Sequence, residues 1–580
     1  MLSVDTSRRH LPSLAVVSVL LGACGTVLAV PQLHNLGLLP GGAYSTRGVV
    51  AGNGTTVTAF GDTSNGGPSS LRSFRWTVAS GITHVVPLGD ARGGAIGRDG
   101  FAISGGSGLA GSGFFWSIPS GVTLLNPLGG HLTCSTLGVS NGSAFICGSS
   151  SPTNSLSDAG RRAVRWNNAG VPTNLGIVAG ASGVNPGSEA SGISADGSVV
   201  VGWSEWTTAA FARRAFRWQA PAGPMVNLGT LPGGNSSEAW AVSSDNGAIT
   251  GISDSGAAIN RYRAFRYKPA IGMVSLGALP GDNQSWGMAI NGNGSAIVGY
   301  SENFPSGVTG AFYWSTATGM VELKTYAQSL GVNVTGWMFY SANGVSDDGT
   351  AVSGKGFLNG HERAFLITGL PCIPPSVDVP PIPTGICVAP VGSTGGPGTT
   401  AVFAVQADGA GPLQYAWDVQ IGEPGTAGGQ ILPLTGSEFA DPVTGLSFSV
   451  AGWNTPEVTI SNLRPGPRPV PPRVSIGGYV INPCNTVALP RAELTVQATC
   501  GGGGGCSLAD VAGGGSTGTQ PDGTLDGSDF IAFINSFAIG DAQVDSAADV
   551  AGGGTDGLQP DGTVDGSDFI AFINAFGVGC

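Results

Sequence analysis

The chain has 580 residues, of which 10% are charged and 41% apolar, with 99 glycines and a formal net charge of −12. That length allows three or four domains, and abundant glycine with little charge points to many short strands and tight turns rather than disorder. The acidity is uneven: residues 501–580 hold eleven Asp and no Lys, Arg or Glu. The rest is close to neutral, so a basic footprint for nucleic acid is absent and that partner class is excluded.

In chain order the first element is an export signal over residues 1–29. Arg8, Arg9 and His10 give a basic start, Leu14 to Leu28 an apolar run, and Val27, Leu28 and Ala29 a cleavage site before Val30. The run is too short and too early for a good membrane span, and no other apolar stretch is long enough to cross a bilayer. A second reading is open, because "LGAC" (Leu21 to Cys24) resembles a bacterial lipoprotein cleavage box, with Gly22 an unusual occupant. Without the signal, nine cysteines become eight, an even number that suits four disulfides in an oxidising compartment. Cys134 and Cys147 flank an "SNG" turn and are expected to bridge neighbouring strands of one hairpin.

Residues 30–369 repeat one phrase: an "LG-LPGG" link, an alternating run, a "S-x-D-G" turn, a second run, an "RAFRW" run and "GM-V-LG". Its aromatic ends at Trp76, Trp116, Trp166, Trp218, Tyr267 and Trp314 recur 40 to 52 residues apart, and "RAFLI" (363–367) is a seventh copy. Repeats of that length with four short strands each predict a mainly β fold and a seven-bladed β-propeller. No 3.6-residue periodicity supports a helical solenoid. The seventh copy lacks its last strand, and an orphan of that kind, "PQLHNLGLLPGG" (31–42), precedes the first. An N-terminal strand that completes the last blade would leave no open sheet edge. The tryptophans are expected to pack between blades, Asp196-Gly197 and Asp348-Gly349 to form turns, and Arg214, Arg217, Arg263 and Arg266 to bond neighbouring carbonyls. These motifs resemble the extracellular HAF-family repeats, with Arg-Ala-Phe mostly in place of His-Ala-Phe. The resemblance implies a secreted protein but brings no defined activity.

A Pro-rich linker (370–383) then leads to residues 384–500. There "CVAPVGSTGGPGTTAVFAVQADGAGPLQYAWDV" and "GGYVINPCNTVALPRAELTV" resemble the opening and closing strands of a bacterial immunoglobulin-like domain. The resemblance implies a spacer or binding module with Trp417 as the core tryptophan and Tyr479 in the penultimate strand. Neither cysteine sits where the intersheet bridge belongs. Cys387 with Cys484 is the preferred pair, and Cys372 with Cys500 would staple the ends.

Residues 501–580 hold two copies of "QPDGT-DGSDFIAFIN-F". Counting back from Asp529 as position twelve of a calcium loop places Asp526 at nine, Thr524 at seven, Gly523 at six and Asp522 at five. The second copy repeats this with Asp561, Thr563, Asp565 and Asp568, and each loop precedes one apolar helical stripe. The first half of each loop lacks ligands, so Asp510 and Asp549 are expected to swing in and supply a carboxylate. The pair resembles dockerin type I, and still more the dockerin-like C-terminal modules of planctomycete secreted proteins. That implies structural calcium in a small α-helical pair of EF-hand-like loops and a cohesin-like partner. Cys506 and Cys580 bracket the module and are expected to join its ends.

No nucleophile elbow, phosphate loop or zinc motif is present. His34, His84, His131 and His361 are scattered among different repeats, and Glu189 and Glu238 occupy one repeat position. The sequence therefore points to a secreted or cell-surface, non-catalytic recognition or attachment protein. Its propeller would bind a glycan or surface protein, and the mature chain would have no membrane span. The alternative is a polysaccharide-degrading enzyme with its active site on one propeller face.

Overall fold

The computed structural model describes residues 30–494, apart from 64–70, 89, 108–110, 154–158, 183–184, 207–211, 257–261, 380–400, 409–412, 423–429, 442–445, 465–472 and 483–485. The expected signal segment and the whole Asp-rich module lie outside the described residues. The chain is mainly β and divides into two units, the first formed chiefly by residues up to Ser376.

Strand β1 (Gln32–Asn35) opens the first unit. Sheet 1 follows, with β2 (Ser45–Val50), β3 (Thr56–Gly61), β4 (Arg72–Thr77) and β5 (Gly81–Val85). Sheet 2 has β6 (Ala91–Ile96), β7 (Ala102–Ser107), β8 (Gly113–Ser117) and β9 (Gly121–Leu124). Sheet 3 has β10 (Thr133–Val139), β11 (Phe145–Ser151), β12 (Arg162–Asn167) and β13 (Pro172–Gly176). Sheet 4 has β14 (Ser188–Ile193), β15 (Val199–Glu205), β16 (Arg213–Gln219) and β17 (Val226–Asn227). Sheet 5 has β18 (Ser237–Val242), β19 (Ile249–Asp254), β20 (Tyr262–Lys268) and β21 (Gly272–Ser275). Sheet 6 has β22 (Gln284–Ile290), β23 (Ala296–Asn303), β24 (Val308–Ser315) and β25 (Gly319–Glu322). A short helix α1 (Leu323–Ser329) precedes sheet 7, which has β26 (Trp337–Val345), β27 (Val352–Leu358) and β28 (His361–Thr368). All are antiparallel meanders, and sheet 7 takes β1 as its fourth strand, with Gln32 opposite Thr368 and Asn35 opposite Phe365. The orphan strand at the start of the chain thus covers the edge of β28.

The first strands, β2, β6, β10, β14, β18, β22 and β26, each touch the next, and β26 touches β2. They form a closed circle at the centre of the first unit. The apolar core follows the same circle as seven separate wedges, each between two consecutive sheets. Phe115 of sheet 2, for example, packs with Val139 and Trp166 of sheet 3, and Val50 and Trp76 of sheet 1 pack with Ala364 and Leu366 of sheet 7. Alternation in each strand feeds one wedge from one face and the next wedge from the other. The repeat arginines reinforce the wedges. Arg162 donates to the Pro186 carbonyl at 2.8 Å, and Arg214 and Arg263 donate to the carbonyls of Asn235 and Asn283. The second arginine reaches the next sheet's turn in three cases: Arg75 to Gly100 (2.8 Å), Arg165 to Gly197 (3.0 Å) and Arg266 to Gly294 (2.9 Å). Arg217 departs from this pattern, bonding Gln219 at 2.8 Å while its Nε is buried without a partner.

Two expectations need correction or refinement. Cys134 and Cys147 are both buried and both free. The hairpin register sets Cys134 opposite Ser150 and Cys147 opposite Gly138, so the thiols feed different wedges. Of the other cysteines, Cys372 is disulfide-bonded, while Cys387, Cys484, Cys500, Cys506 and Cys580 lie outside the described residues. Leu370 and Ile373, placed in the linker by sequence, are buried in the wedge of sheets 6 and 7.

The second unit contains β29 (Ser376–Val379), β30 (Ala401–Ala404), β31 (Gln406–Asp408), β32 (Gln414–Gly422), β33 (Gln430–Pro433), β34 (Glu438–Ala440), β35 (Ser447–Ala451), β36 (Glu457–Arg464), β37 (Arg473–Ile481) and β38 (Thr486–Leu494). One four-stranded sheet runs β30-β36-β35-β34 and another β33-β32-β37-β38. Trp417 is buried, and its indole N–H donates to the Thr455 carbonyl at 2.8 Å. Tyr479 lies in β37 and is 40% exposed.

The β1 strand generates a stability prediction. Removing residues 30–35 uncovers the ladder edge of β28, so the shortened chain should melt several degrees lower and self-associate. Scanning calorimetry with light scattering measures both; an unchanged melting temperature and a monomer would contradict the closure.

Candidate functional site

The circle of first strands has two different ends. At the end where each first strand finishes, the repeated turn is self-contained. Ser194 Oγ donates to Asp196 at 2.6 Å and accepts the Val199 N–H at 3.0 Å, and Ser346 does the same with Asp348 and Ala351. Burial pushes the Asp196 carboxyl up, but hydrogen bonds from Ser194, Ser198 and Asn246 outweigh it and hold the pKa down to about 2. Gly197 has φ +73°, and a Cβ there would lie 2.4 Å from Phe145 Cδ2, so glycine is required. These Asp-Gly pairs are turn formers, as their sequence implies.

The turns also bond one another. Asp347 N donates to Gly52 O at 2.9 Å, Gly292 N to Asp347 O at 3.1 Å, Asp245 N to Gly292 O at 3.0 Å, and Asn141 N to Ala195 O at 2.9 Å. Arg98, in the turn of sheet 2, crosses the middle of this belt. Its guanidinium donates to Ile290 O in sheet 6 at 2.6 Å and to Val345 O in sheet 7 at 3.2 Å. It also pairs with Asp347 Oδ1 at 3.1 Å, and Ser244 Oγ donates to that same oxygen at 2.7 Å. One charged side chain therefore spans the centre of the circle at this end.

The opposite end holds a cavity of about 540 Å³ lined by sheets 7, 1 and 2. Its cations are Arg47, Arg92 and Lys355, and its one lining acid is Glu362. Glu362 is engaged by Lys355 at 3.3 Å, and Arg92 by Asp90 at 3.2 Å. Tyr44, Thr46, Ser341 and Asn343 add hydroxyl and amide groups, and Phe60 and Leu71 add apolar surface. The Tyr44 phenol is held above its usual range by burial and by Asp62 and Glu362, so it stays protonated at neutral pH. An aromatic arc continues from the cavity into sheets 6 and 7. Lys355 Nζ lies 5.0 Å from the Tyr340 ring centre, and Trp286 stacks on Tyr300 with centroids 4.7 Å apart and planes 8° apart. Burial, with Glu302 and Tyr340 nearby, pushes the Tyr300 pKa up to about 12.

Arg47 stands apart. Each first strand carries a β-bulge, and in five sheets the residue facing it is a glycine with no room for a Cβ. At Gly148, Gly202, Gly251, Gly299 and Gly354 a Cβ would sit 1.8–2.0 Å from an inner-strand backbone oxygen. In sheet 1, β3 has Ala59 at that place, and the bulge on β2 spans Arg47 and Gly48 with Arg47 at φ +58°. The Arg47 side chain is exposed to solvent, and the protein packed around it lowers the guanidinium pKa through partial desolvation.

The residues singled out by sequence fall elsewhere. Glu189 pairs with Arg161 at 3.0 Å and accepts from Ser149, and Glu238 pairs with Arg213 at 2.7 Å and accepts from Trp240. Both are ion pairs between adjacent sheets, one stacked on Trp203, which Arg213 covers at 3.7 Å. His34 bonds Thr368 at 3.2 Å and His131 bonds Ser150 at 3.1 Å, and among the described residues no two histidines pair. The candidate calcium ligands Asp510, Asp522, Thr524, Asp526, Asp529, Asp549, Asp561, Thr563, Asp565 and Asp568 lie outside the described residues. Among the described residues no cluster of three or more His, Cys, Asp or Glu could hold a metal ion, and no helix is long and apolar enough to cross a membrane. Sequence reading missed Arg47, Arg92, Lys355 and Arg98.

No protein-family model and no curated protein matches the sequence. Among solved structures, the chain is similar to the acylaminoacyl peptidase of Pyrococcus horikoshii, at 11% identity and a TM-score of 0.35, covering 62% of this chain and 57% of that one. A second is an acylaminoacyl peptidase in complex with Z-Gly-Gly-Phe-chloromethyl ketone (10% identity, TM-score 0.35, 63% of this chain and 58% of that one). A third is regucalcin, a calcium-binding protein from Agrobacterium tumefaciens (12% identity, TM-score 0.27, 58% and 94%). The chain spans less than three fifths of the length of those two peptidase chains. Likeness this distant brings neither activity to this chain.

The Arg98 bridge makes a direct prediction. Hydrogen bonds from a charged donor contribute about 1.5–3 kcal/mol each, so Arg98→Ala should lower stability by about 2–4 kcal/mol. Denaturant unfolding followed by tryptophan fluorescence measures this; a change below about 0.5 kcal/mol would show that the bridge is not structural.

Proposed function

We propose that the chain is a secreted or cell-surface recognition protein without catalytic activity. In this reading the first unit is a seven-bladed propeller of HAF-type repeats that binds its ligand at one mouth. The second is an immunoglobulin-like spacer, and residues 501–580 form a dockerin-like module stabilised by calcium. The observation that carries the reading is the asymmetry of the circle of strands. One end is crossed by Arg98 and belted by turn bonds, while the other presents a cavity with aromatic groups and polar donors. Cavities of roughly 300–1,000 Å³ suit small ligands or single units of a polymer. A glycan fits this lining better than a flat protein surface, because the flat rings of Tyr44 and Phe60 match the apolar faces of sugar rings. The carboxylates Glu189 and Glu238 are both neutralised by arginines, which favours binding over glycoside cleavage.

Two measurements test this reading. The full chain on an immobilised glycan panel should bind a subset of polysaccharides and release no reducing sugar or unsaturated product from any of them. Release of product that stops when mouth carboxylates such as Glu362 are replaced would establish the enzyme instead. For the C-terminal module, titration of the metal-stripped full chain with calcium should give a heat of binding that is lost in an Asp526→Asn/Asp565→Asn variant, because uncompensated carboxylates repel one another. No heat, with melting curves indifferent to chelator, would remove calcium from the account.

A further inference from the structure

We infer that the ligand is an acidic glycan and that Arg47 anchors its carboxylate or sulfate group. The inference rests on the recognition reading of the mouth and adds the chemical class of what it takes. Three observations converge on it. The cavity's charges are paired except one: Lys355 holds Glu362 and Arg92 holds Asp90, while the described residues give Arg47 neither a hydrogen bond nor an ion pair. Arg47 also sits in a left-handed backbone conformation, at φ +58°, which a residue with a Cβ adopts at a cost. Glycine at this position would relieve that strain, and Gly48 is already next to it. Finally, the surrounding groups include two donors, the Asn343 amide, whose oxygen accepts from Ser341 Oγ at 3.1 Å, and the protonated Tyr44, so an anion meets hydrogen-bond partners besides the guanidinium.

A guanidinium held in a crowded setting without a counter-ion is a preorganised site for a planar carboxylate or a sulfate ester, both of which it can grip with two parallel N–H donors. Tyr340 lies beside Lys355 of the cavity lining, with the Trp286–Tyr300 pair next to it, so aromatic surface adjoins the cavity for neighbouring sugar units.

The test is calorimetric titration of the full chain with oligogalacturonate, a sulfated galactan oligosaccharide, a neutral xylo-oligosaccharide and polyglutamate. The wild-type chain should bind one or both acidic saccharides, with affinity falling as salt rises, and should bind the neutral saccharide and polyglutamate at least tenfold more weakly. Arg47→Gln and Arg47→Gly should each weaken the acidic saccharide by roughly ten- to a hundred-fold, the effect of losing a charged hydrogen-bond donor. Arg47→Gly should do so while leaving the melting temperature unchanged or higher, which separates lost binding from lost folding. Binding of the neutral saccharide alone, indifferent to Arg47, would overturn the acidic ligand and leave recognition standing. Equal binding of polyglutamate would overturn the glycan. Binding of nothing on the wider glycan panel would overturn the recognition reading itself.

Discussion

The first unit depends on one constraint: each four-stranded sheet is apolar on both faces and cannot be covered except by a sheet on either side. A row of such sheets would leave a bare face at each end. A circle leaves none. The core is accordingly divided into seven wedges, each shared by consecutive sheets, and the wedge between sheets 7 and 1 is built like the others. Pairing of β1 with β28 joins the first and last strands of the first unit and completes sheet 7. Where the repeat carries its arginines, most of them tie a sheet to its neighbour through backbone carbonyls, which explains why a chain so poor in charge keeps them.

From closure follows the difference between the ends. Seven turns brought to one end are close enough to bond one another, and Arg98 can reach sheets 6 and 7 only because the circle places them across from sheet 2. The other end is formed where the first strands begin, and there the strands are irregular. The bulge on each first strand demands a glycine opposite it. Where sheet 1 has Ala59 instead, the inner strand is forced into another path and Arg47 into a strained one. A local failure of the repeat thus coincides with the charged cavity, as expected where a site is grafted on a regular frame.

Much of this was legible in the sequence. Repeats such as Arg214–Trp218 mark the third strand of a sheet, and the strand-like orphan around Leu33 announced that the last sheet would be finished by the chain's beginning. Ser194 and Asp196 read correctly as a turn, because the bonds that shape it, from Ser194, Ser198 and Val199, are local. The Cys134–Cys147 bridge did not survive, since sequence distance across a hairpin does not give register. The turn at residues 141–143 sets Cys147 three positions from the partner of Cys134. Arg98 and Asp347, 249 positions apart in the chain, were invisible because their meeting depends on closure. Arg47 had a readable signal that only the register makes plain: an arginine where β14 and β18 have Ala190 and Ala239, opposite an alanine where those have glycine.

Closure itself is best tested by amide hydrogen exchange on the intact chain. Backbone N–H groups of residues 32–35 that bond β28 should exchange as slowly as those of β27, and should open together with sheet 7. Free exchange of residues 32–35 while β27 and β28 stay protected would mean that the circle is open, and the account of both its ends would fall with it.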